Sequence, residues 1–242
     1  MKLLGIDLET TGLDTQKDEV TEIGYVLVDT EVSKPLLCVS DLVDSGVDVP
    51  DEITEITHIT TDMLREYGRS PSDVLSRLVS YMNEVDYIVA HNGNFFDKPF
   101  LYRWSCDHEV EIPDKPWLDT RDDVPYPKHY RYRNLTYLAA EHGFINPFPH
   151  AALFDAMAMM KVLSHYDINE VIKRFKTPWV VIRADVSFER KDEAKKLGYQ
   201  WQKAGDKTYT KCWVKRVKEF ELEQERQEAT FKVIELRSND DT

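Results

Sequence analysis

Cysteine is scarce in this chain of 242 residues, and so are long apolar runs. The three cysteines, Cys38, Cys106 and Cys212, are too far apart for a disulfide framework or a metal motif. We therefore expect free thiols in a reducing compartment, with the cytoplasm as the location. No hydrophobic run is long enough to cross a membrane, and the short N-terminal apolar stretch already contains Asp7. We expect neither a signal peptide nor a membrane partner.

Internal repeats and low-complexity segments are also absent, so repeat architectures are excluded. The chain is long enough for one α/β domain and a second, smaller one, and its 42% hydrophobic content supplies a core. Positive charge is in deficit, with a net charge of −13. The deficit is uneven: the net charge is −15 over residues 1–175, +7 over residues 176–218 and −5 over residues 219–242. This division predicts an acidic domain followed by a basic segment that attracts phosphates.

Two carboxylates interrupt the apolar run at the N-terminus. The segment 2–13 reads as a strand that ends in a Thr-Thr-Gly turn, and alternation along a strand places Asp7 and Glu9 on one face. Neighbouring carboxylates in an apolar strand repel one another unless cations neutralise them, and Mg²⁺ prefers such oxygen ligands. The alternative is an edge strand with a solvated acidic face.

A third carboxylate, Asp97, follows the segment 87–96, which reads as a buried strand and a polar turn. Pro99 then marks the first turn of a helix, so Asp97 lies at a helix start. Asp97 is therefore either part of an acidic site or only the N-cap of that helix.

The segment 146–163 reads as a proline-rich loop followed by strong helix formers, with Asp155 on the helix. In a continuous helix, His150 would lie about 140° round from Asp155. We therefore expect His150 on the loop, from where it can swing toward Asp155. An imidazole there can take a proton from water at neutral pH, as a general base does. The alternative is an ordinary surface histidine.

Together the three segments resemble the DEDDh group of the proofreading-exonuclease superfamily, which includes RNase T, the epsilon subunit of bacterial DNA polymerase III and the three-prime repair exonucleases. The resemblance covers about residues 1–165. Lesser landmarks are His58-Ile59-Thr60, similar to a His-Gly-Ile-Thr stretch, and Asp119-Thr120. The spacing from His91 to Asp97 looks most like that of the three-prime repair exonucleases, and Ile59 stands where glycine is common.

The resemblance implies an α/β fold, with a ribonuclease H-like mixed sheet flanked by helices. It also implies two Mg²⁺ or Mn²⁺ ions held by Asp7, Glu9, Asp97 and Asp155, with His150 as the general base. Substrate would bind at the turn after the first motif and near the second motif. The residues assigned to substrate are Thr10, Thr11, Leu13, His58, Asn92 and Phe96. A structural role in the strand-ending turn, or a core contact for Leu13, is the alternative.

The implied reaction is metal-dependent 3′→5′ hydrolysis of DNA, at single-stranded or frayed ends, to nucleoside 5′-monophosphates. An RNase T-like exoribonuclease is the first alternative, because the choice depends on how the site treats the 2′-hydroxyl. A non-catalytic nucleic-acid-binding scaffold is the second. The partner is nucleic acid, DNA before RNA. No polymerase domain is visible, and no motif identifies a polymerase or repair partner.

The chain divides into an exonuclease domain over residues 1–175, a small basic βαββ module over 178–218, and an acidic helix with a disordered tail over 219–242. In the module, lysines alternate with Tyr199, Trp201, Tyr209 and Trp213. These aromatics either stack nucleic-acid bases or form the small core of the module.

Overall fold

A computed structural model describes residues 1–32, 34–202 and 211–236. The chain divides into two compact units, residues 1–172 and 173–242. The strands of the first unit are β1 Lys2–Thr10, β2 Val20–Asp29, β3 Pro35–Leu42, β4 Tyr87–Ala90 and β5 Trp117–Asp119. The helices are α1 Asp51–Thr57, α2 Thr61–Tyr67, α3 Pro71–Asn83, α4 Asp97–Asp107, α5 Leu135–Glu141, α6 Ala152–Leu163 and α7 Ile168–Lys176, which runs across the division between the units.

The strands of the first unit form one mixed sheet in the order β3-β2-β1-β4-β5. β1 and β2 are antiparallel, as are β2 and β3, whereas β4 runs parallel to both β1 and β5. The predicted α/β fold, a mixed sheet flanked by helices, is confirmed. The parallel neighbours end at the same edge as β1, so the turn after β4 lies near the motif at the end of β1.

Buried side chains on the central strands hold the helices to the sheet. Leu4, Ile6 and Leu8 of β1 lie in a core cluster with residues of α3 and α4, including the fully buried Trp104. α6 packs against β1 and β2. The approach is so close at Gly24 that a Cβ atom there would lie 2.1 Å from the backbone of α6. Glycine is therefore required at this point, and it seats the first turn of α6 on the sheet.

The described residues of the second unit form a four-stranded antiparallel sheet with two short α-helices. Its elements are β6 Trp179–Asp185, α8 Lys191–Lys196, β7 Gln200–Gln202, β8 Cys212–Lys218, α9 Leu222–Glu228 and β9 Lys232–Leu236. The strand order is β7-β8-β6-β9. The core cluster comprises Ile182, Ala184, Ala194, Tyr199, Val217 and Leu222.

The C-terminal segment differs from its prediction as an acidic helix with a disordered tail. The helix is present as α9, but the chain continues into β9, which pairs with β6 and adds an outer strand to the predicted βαββ arrangement. Val233 packs against the core cluster of this unit, and that burial stabilises the strand. The strand was not predicted because this short alternating segment follows directly after the glutamate-rich run that forms α9. Tyr209, one of the aromatics named for the module, and the end of the predicted tail at 237–242 lie outside the described residues.

Among the described residues, no helix is long and apolar enough to cross a membrane.

Candidate active site

The first two carboxylates of the site lie side by side on β1. Asp7 is opposite Gly24 of β2, and Glu9 is opposite Glu22. Both side chains are half-buried. Since residues two apart in a strand share a face, the pleat of β1 directs Asp7 and Glu9 to the same side of the sheet, as predicted.

Asp97 is the first residue of α4, and the N-cap position is occupied by Phe96. The interpretation of Asp97 as a simple N-cap is therefore wrong. Its side chain is only 2% exposed, and its Oδ1 atom has no hydrogen-bond partner. Burial, together with the nearby charge of Asp119, raises the pKa of Asp97 to about 7. A buried carboxylate oxygen with no partner is costly, so this atom is available to a cation.

Asp155 lies in the first turn of α6, and the preceding loop folds around it. One carboxylate oxygen accepts a hydrogen bond from Asn146 Nδ2 at 2.7 Å, and the other accepts one from the backbone N–H of His150 at 2.8 Å. His150 lies on the loop two residues before α6, in a left-handed conformation with φ of +62°. Its predicted place outside the helix is confirmed, and its side chain is exposed.

The carboxylates strongly perturb one another. Burial and the charges of Asp97, Asp155, Glu9 and Glu22 raise the pKa of Asp7 well above its ordinary value. For Glu9, burial together with the nearby carboxylates raises the pKa to about 8. The pKa of Asp155 is also raised, chiefly by burial. Like charges held this close need protons or cations to be stable at neutral pH.

The donor set fits divalent cations. Glu9, His150 and Asp155 each offer a ligand atom, and these atoms lie within 4.8 Å of one another. The unpartnered Oδ1 of Asp97 and the half-buried carboxylate of Asp7 add further oxygen donors of the kind that hard cations prefer. The charged groups with the largest influence on the pKa values of Asp7 and Glu9 are all carboxylates.

Glu22 is a fifth carboxylate of the site, and the sequence interpretation missed it. It is only 7% exposed. Its Oε1 accepts a hydrogen bond from Ser40 Oγ at 2.6 Å, and its Oε2 accepts one from the backbone N–H of Ala152 at 3.0 Å. Glu22 therefore fastens the first turn of α6, which carries Asp155, to β2 and β3. An acidic residue within an apolar strand was the available signal.

Asp119 organises the turn that precedes Asp97. The carboxylate is 1% exposed and accepts hydrogen bonds from the backbone N–H groups of Asn92 at 2.8 Å, Arg121 at 3.0 Å and Asn94 at 3.3 Å. The sequence analysis noted Asp119-Thr120 as a landmark of the family, but it did not predict that Asp119 accepts hydrogen bonds from this turn. Since backbone amides hold this carboxylate in place, Asp119 fixes the path of the chain from β4 to α4.

The turn after β1 holds the first group of predicted substrate residues. The Thr10 hydroxyl donates to the carbonyl of Gly12, and the Thr11 hydroxyl accepts the N–H of Glu19 at 2.9 Å. The Thr11 hydroxyl can therefore still donate a hydrogen bond to a ligand, whereas the Thr10 hydroxyl already donates its hydrogen bond within the turn. Leu13 is 82% exposed, so its interpretation as a core contact is wrong and its side chain remains available to a base.

The remaining predicted substrate residues are differently placed. His58 is exposed and forms the C-cap of α1, with φ of +60°. The Asn92 side chain accepts a hydrogen bond from Arg121 at 2.8 Å. Phe96 packs against the core and Phe100, whereas its neighbour Phe95 is 63% exposed. Phe95 is therefore better placed than Phe96 to meet a ligand, a distinction that depends on the geometry of the turn.

Comparisons with known proteins agree with this geometry. The RNase T family model, described as an exonuclease, matches residues 4–163. The DNA polymerase III PolC-type protein of Thermotoga petrophila is 33% identical over 163 residues, which cover 66% of this chain and 11% of that protein. The chain thus spans about a tenth of the length of this curated relative.

Solved structures share the fold at low sequence identity. The nuclease domain of 3'hExo, a DEDDh family member bound to rAMP, has a TM-score of 0.57 and 18% identity, with 68% of this chain and 90% of that chain covered. The zinc-bound E. coli exonuclease I complex with single-stranded DNA has a TM-score of 0.61 and 16% identity, with 99% and 66% covered. The mixed sheet of the first unit is thus of the ribonuclease H-like type expected from the sequence. With the motifs at Asp7, Asp97 and Asp155 in place on that fold, the chain belongs to the RNase T exonuclease family, within the DEDDh proofreading-exonuclease superfamily.

Proposed function

We propose that the chain is a metal-dependent 3′→5′ exonuclease that releases nucleoside 5′-monophosphates from DNA at single-stranded or frayed ends. The observation that carries this proposal is the cluster of four carboxylates with raised pKa values, Asp7, Glu9, Asp97 and Asp155, beside the exposed His150. A purely structural site would compensate these charges with basic side chains or hydrogen bonds.

Asp7, Glu9, Asp97 and Asp155 would hold two Mg²⁺ or Mn²⁺ ions. Two such cations, when bound, stabilise both the attacking and the leaving oxygen of an in-line displacement at phosphorus. The residues of the chain supply the remaining functions. The His150 imidazole takes a proton from the attacking water, and Asp155 holds the backbone of His150 in place through its N–H. Thr11 can donate its hydroxyl proton to the terminal nucleotide, and Leu13 can pack against its base.

DNA is favoured over RNA because the curated relative at 33% identity is a DNA polymerase. An exoribonuclease of the same mechanism is the competing possibility, and a non-catalytic scaffold is the other. All three possibilities include binding of a nucleic-acid strand, so binding alone cannot separate them and turnover must be measured.

The experiment follows 5′-labelled single-stranded DNA and RNA of matched sequence in Mg²⁺, Mn²⁺ or EDTA. The wild type is compared with Asp7→Asn. The matched control is Asp41→Asn, because Asp41 is also an aspartate of the same sheet but pairs with Arg77 at 3.0 Å. We expect a metal-dependent ladder that shortens from the 3′ end, with 5′-monophosphates as products, in wild type and Asp41→Asn. Asp7→Asn should lose at least about 10²-fold in rate, the size of effect seen when one group that stabilises a transition state is removed.

Faster turnover of RNA than of DNA would favour the exoribonuclease. Binding with no metal-dependent product on either substrate would favour the scaffold and contradict the proposal.

A further inference from the structure

A pocket in the second unit combines exposed aromatic rings with basic side chains. It has a volume of about 230 Å³ and lies where the end of β6 meets the β7–β8 pair. The residues of interest that line it are Arg183, Asp185, Phe188, Trp201, Lys211 and Trp213; we name it the Trp201 pocket. Its volume is below the roughly 300–1,000 Å³ of sites for drug-sized molecules, so it suits a group the size of a single base.

The aromatic lining of this pocket is a pair of indoles and an exposed phenyl ring. Trp201 of β7 lies directly opposite Trp213 of β8, with ring centroids 5.4 Å apart. Trp213 packs against the core of the unit, whereas Trp201 is 45% exposed and Phe188 is 73% exposed. The core therefore holds one indole in place while the other two rings are accessible. Tyr199, which was grouped with them in the sequence, is buried in the core.

The charged lining of the Trp201 pocket is predominantly positive. Arg183 and Lys211 line it, against one carboxylate, that of Asp185. Lys191 Nζ lies 3.8 Å from the ring centroid of Phe188, and Lys195 Nζ lies 5.7 Å from that of Trp213. The surrounding segment 176–218 has a net charge of +7 in a chain whose net charge is −13. A ligand with both a flat aromatic face and a negative charge complements this lining.

We propose that the Trp201 pocket binds single-stranded nucleic acid, with one unpaired base stacked on Trp201 and an adjacent phosphate held by Lys211. Stacking on an aromatic ring requires a base freed from a duplex, and it tolerates any base because every base has a π-face. This goes beyond the proposed exonuclease reaction, since the pocket would bind a strand whether or not the carboxylate site hydrolyses it.

Binding is tested on the full chain in EDTA, by fluorescence anisotropy of labelled oligo-dT and oligo-U of equal length. Trp201→Ala should raise the dissociation constant for both strands about tenfold, because one stacked base is lost. Trp201→Phe, which retains a ring, should stay within about twofold of the wild type. Phe220→Ala is the matched control, since Phe220 is also exposed in the same unit but does not line the pocket. The tighter of the two strands identifies whether DNA or RNA is preferred.

The phosphate contact has its own readout. Lys211→Ala should lower the slope of log Kd against log salt concentration by about 1, whereas Lys196→Ala, an exposed lysine outside the pocket, should leave the slope unchanged. Unchanged affinity in Trp201→Ala, or a loss no larger than in Phe220→Ala, would overturn the proposal. So would a salt slope that Lys211→Ala leaves intact.

Hydrolysis of a dinucleotide separates this proposal from the exonuclease itself. Trp201 is not among the residues of the carboxylate site, so Trp201→Ala should hydrolyse a dinucleotide at the wild-type rate in Mg²⁺. Weaker strand binding together with wild-type dinucleotide hydrolysis supports both proposals. Weaker binding with no hydrolysis by any variant would support the pocket and reject the exonuclease.

Discussion

The two units treat buried charge in opposite ways. In the first, burial and neighbouring carboxylates raise the pKa of Asp7 and of Glu9, and Asp97 Oδ1 has no hydrogen-bond partner. In the second, the buried Glu225 pairs through Oε2 with Lys215 Nζ at 2.7 Å, although its Oε1, like Asp97 Oδ1, has no hydrogen-bond partner. The buried Lys218 donates to a backbone carbonyl and contacts an indole ring.

This contrast separates function from structure. A buried charge that is paired within the fold contributes to a fixed architecture, whereas like charges gathered without compensation need a ligand. We therefore expect neutralising a buried carboxylate to stabilise the fold in the first unit and to destabilise it in the second. Catalytic activity should respond only to substitutions in the carboxylate site of the first unit.

The largest effect is expected at His150. His150→Ala should lower kcat by about 10²–10⁴-fold, the usual contribution of a general base, because water then loses its proton acceptor. Affinity for the divalent cation should change less than kcat. A single-turnover assay at saturating metal and substrate measures the effect.

The control for His150→Ala is His129→Ala, a substitution of an exposed loop histidine that stands outside the carboxylate cluster. It should stay close to the wild-type rate. If His150→Ala kept the full kcat and only weakened metal binding, His150 would be a metal ligand and not the base.

The next effect concerns Glu22, which positions the helix that carries Asp155. Glu22→Ala removes the acceptor for Ser40 and for the N–H of Ala152. We expect metal affinity to fall about 10–100-fold, as it does when the partners of metal ligands are removed. Glu22→Gln keeps one acceptor and should recover part of the loss. Metal titrations of activity measure it, and equal losses in the two variants would show that the charge of Glu22 matters more than its hydrogen bonds.

Much of the first unit was accessible from the sequence because its signals are local. Asp7 and Glu9 follow from strand alternation, and the loop position of His150 follows from helical periodicity. The mixed sheet followed from the family resemblance. These features depend on residues close together in the chain, so a single segment contains the information.

What the sequence could not show depends on contacts between distant segments. Glu22 meets the N–H of Ala152 across 130 residues, and Asp119 meets the backbone of Asn92 across 27 residues. Which of the two neighbouring rings is exposed, Phe95 or Phe96, depends on the conformation of the turn between β4 and α4. Likewise, the strand β9 can be recognised only from its pairing with β6, which the sequence does not show. Propensity is a weak guide for a five-residue strand whose stability comes from its neighbours.

A smaller effect should appear in the stability of the metal-free chain. Because burial raises the pKa of Glu9 to about 8 and that of Asp97 to about 7, the folded state binds these protons more tightly than the unfolded state. The free energy of unfolding in EDTA should therefore fall as pH rises from about 4 to about 8. Asp97→Asn removes one titrating group and should be more stable than the wild type at pH 8 by about 2 kcal/mol.

Urea unfolding at pH 5 and pH 8, in EDTA and in Mg²⁺, checks this prediction. Mg²⁺ should stabilise the wild type more than Asp97→Asn at pH 8, since a bound ligand stabilises the folded state. A metal-free wild type whose stability did not change between these pH values would mean that the carboxylates are not held as close as described.

The smallest effect is expected at Glu225, and its sign should be opposite. Glu225→Gln breaks the pair with Lys215, whose side chain is 26% exposed and can regain water, so the loss should be only about 1 kcal/mol at pH 7. Glu228→Gln on the same helix changes an exposed residue and should shift stability by less than about 0.5 kcal/mol. Dinucleotide hydrolysis should be unaffected in both variants. If neutralising Glu225 stabilised the fold as neutralising Asp97 does, the second unit would also contain an uncompensated acidic site, and the contrast between the units would fail.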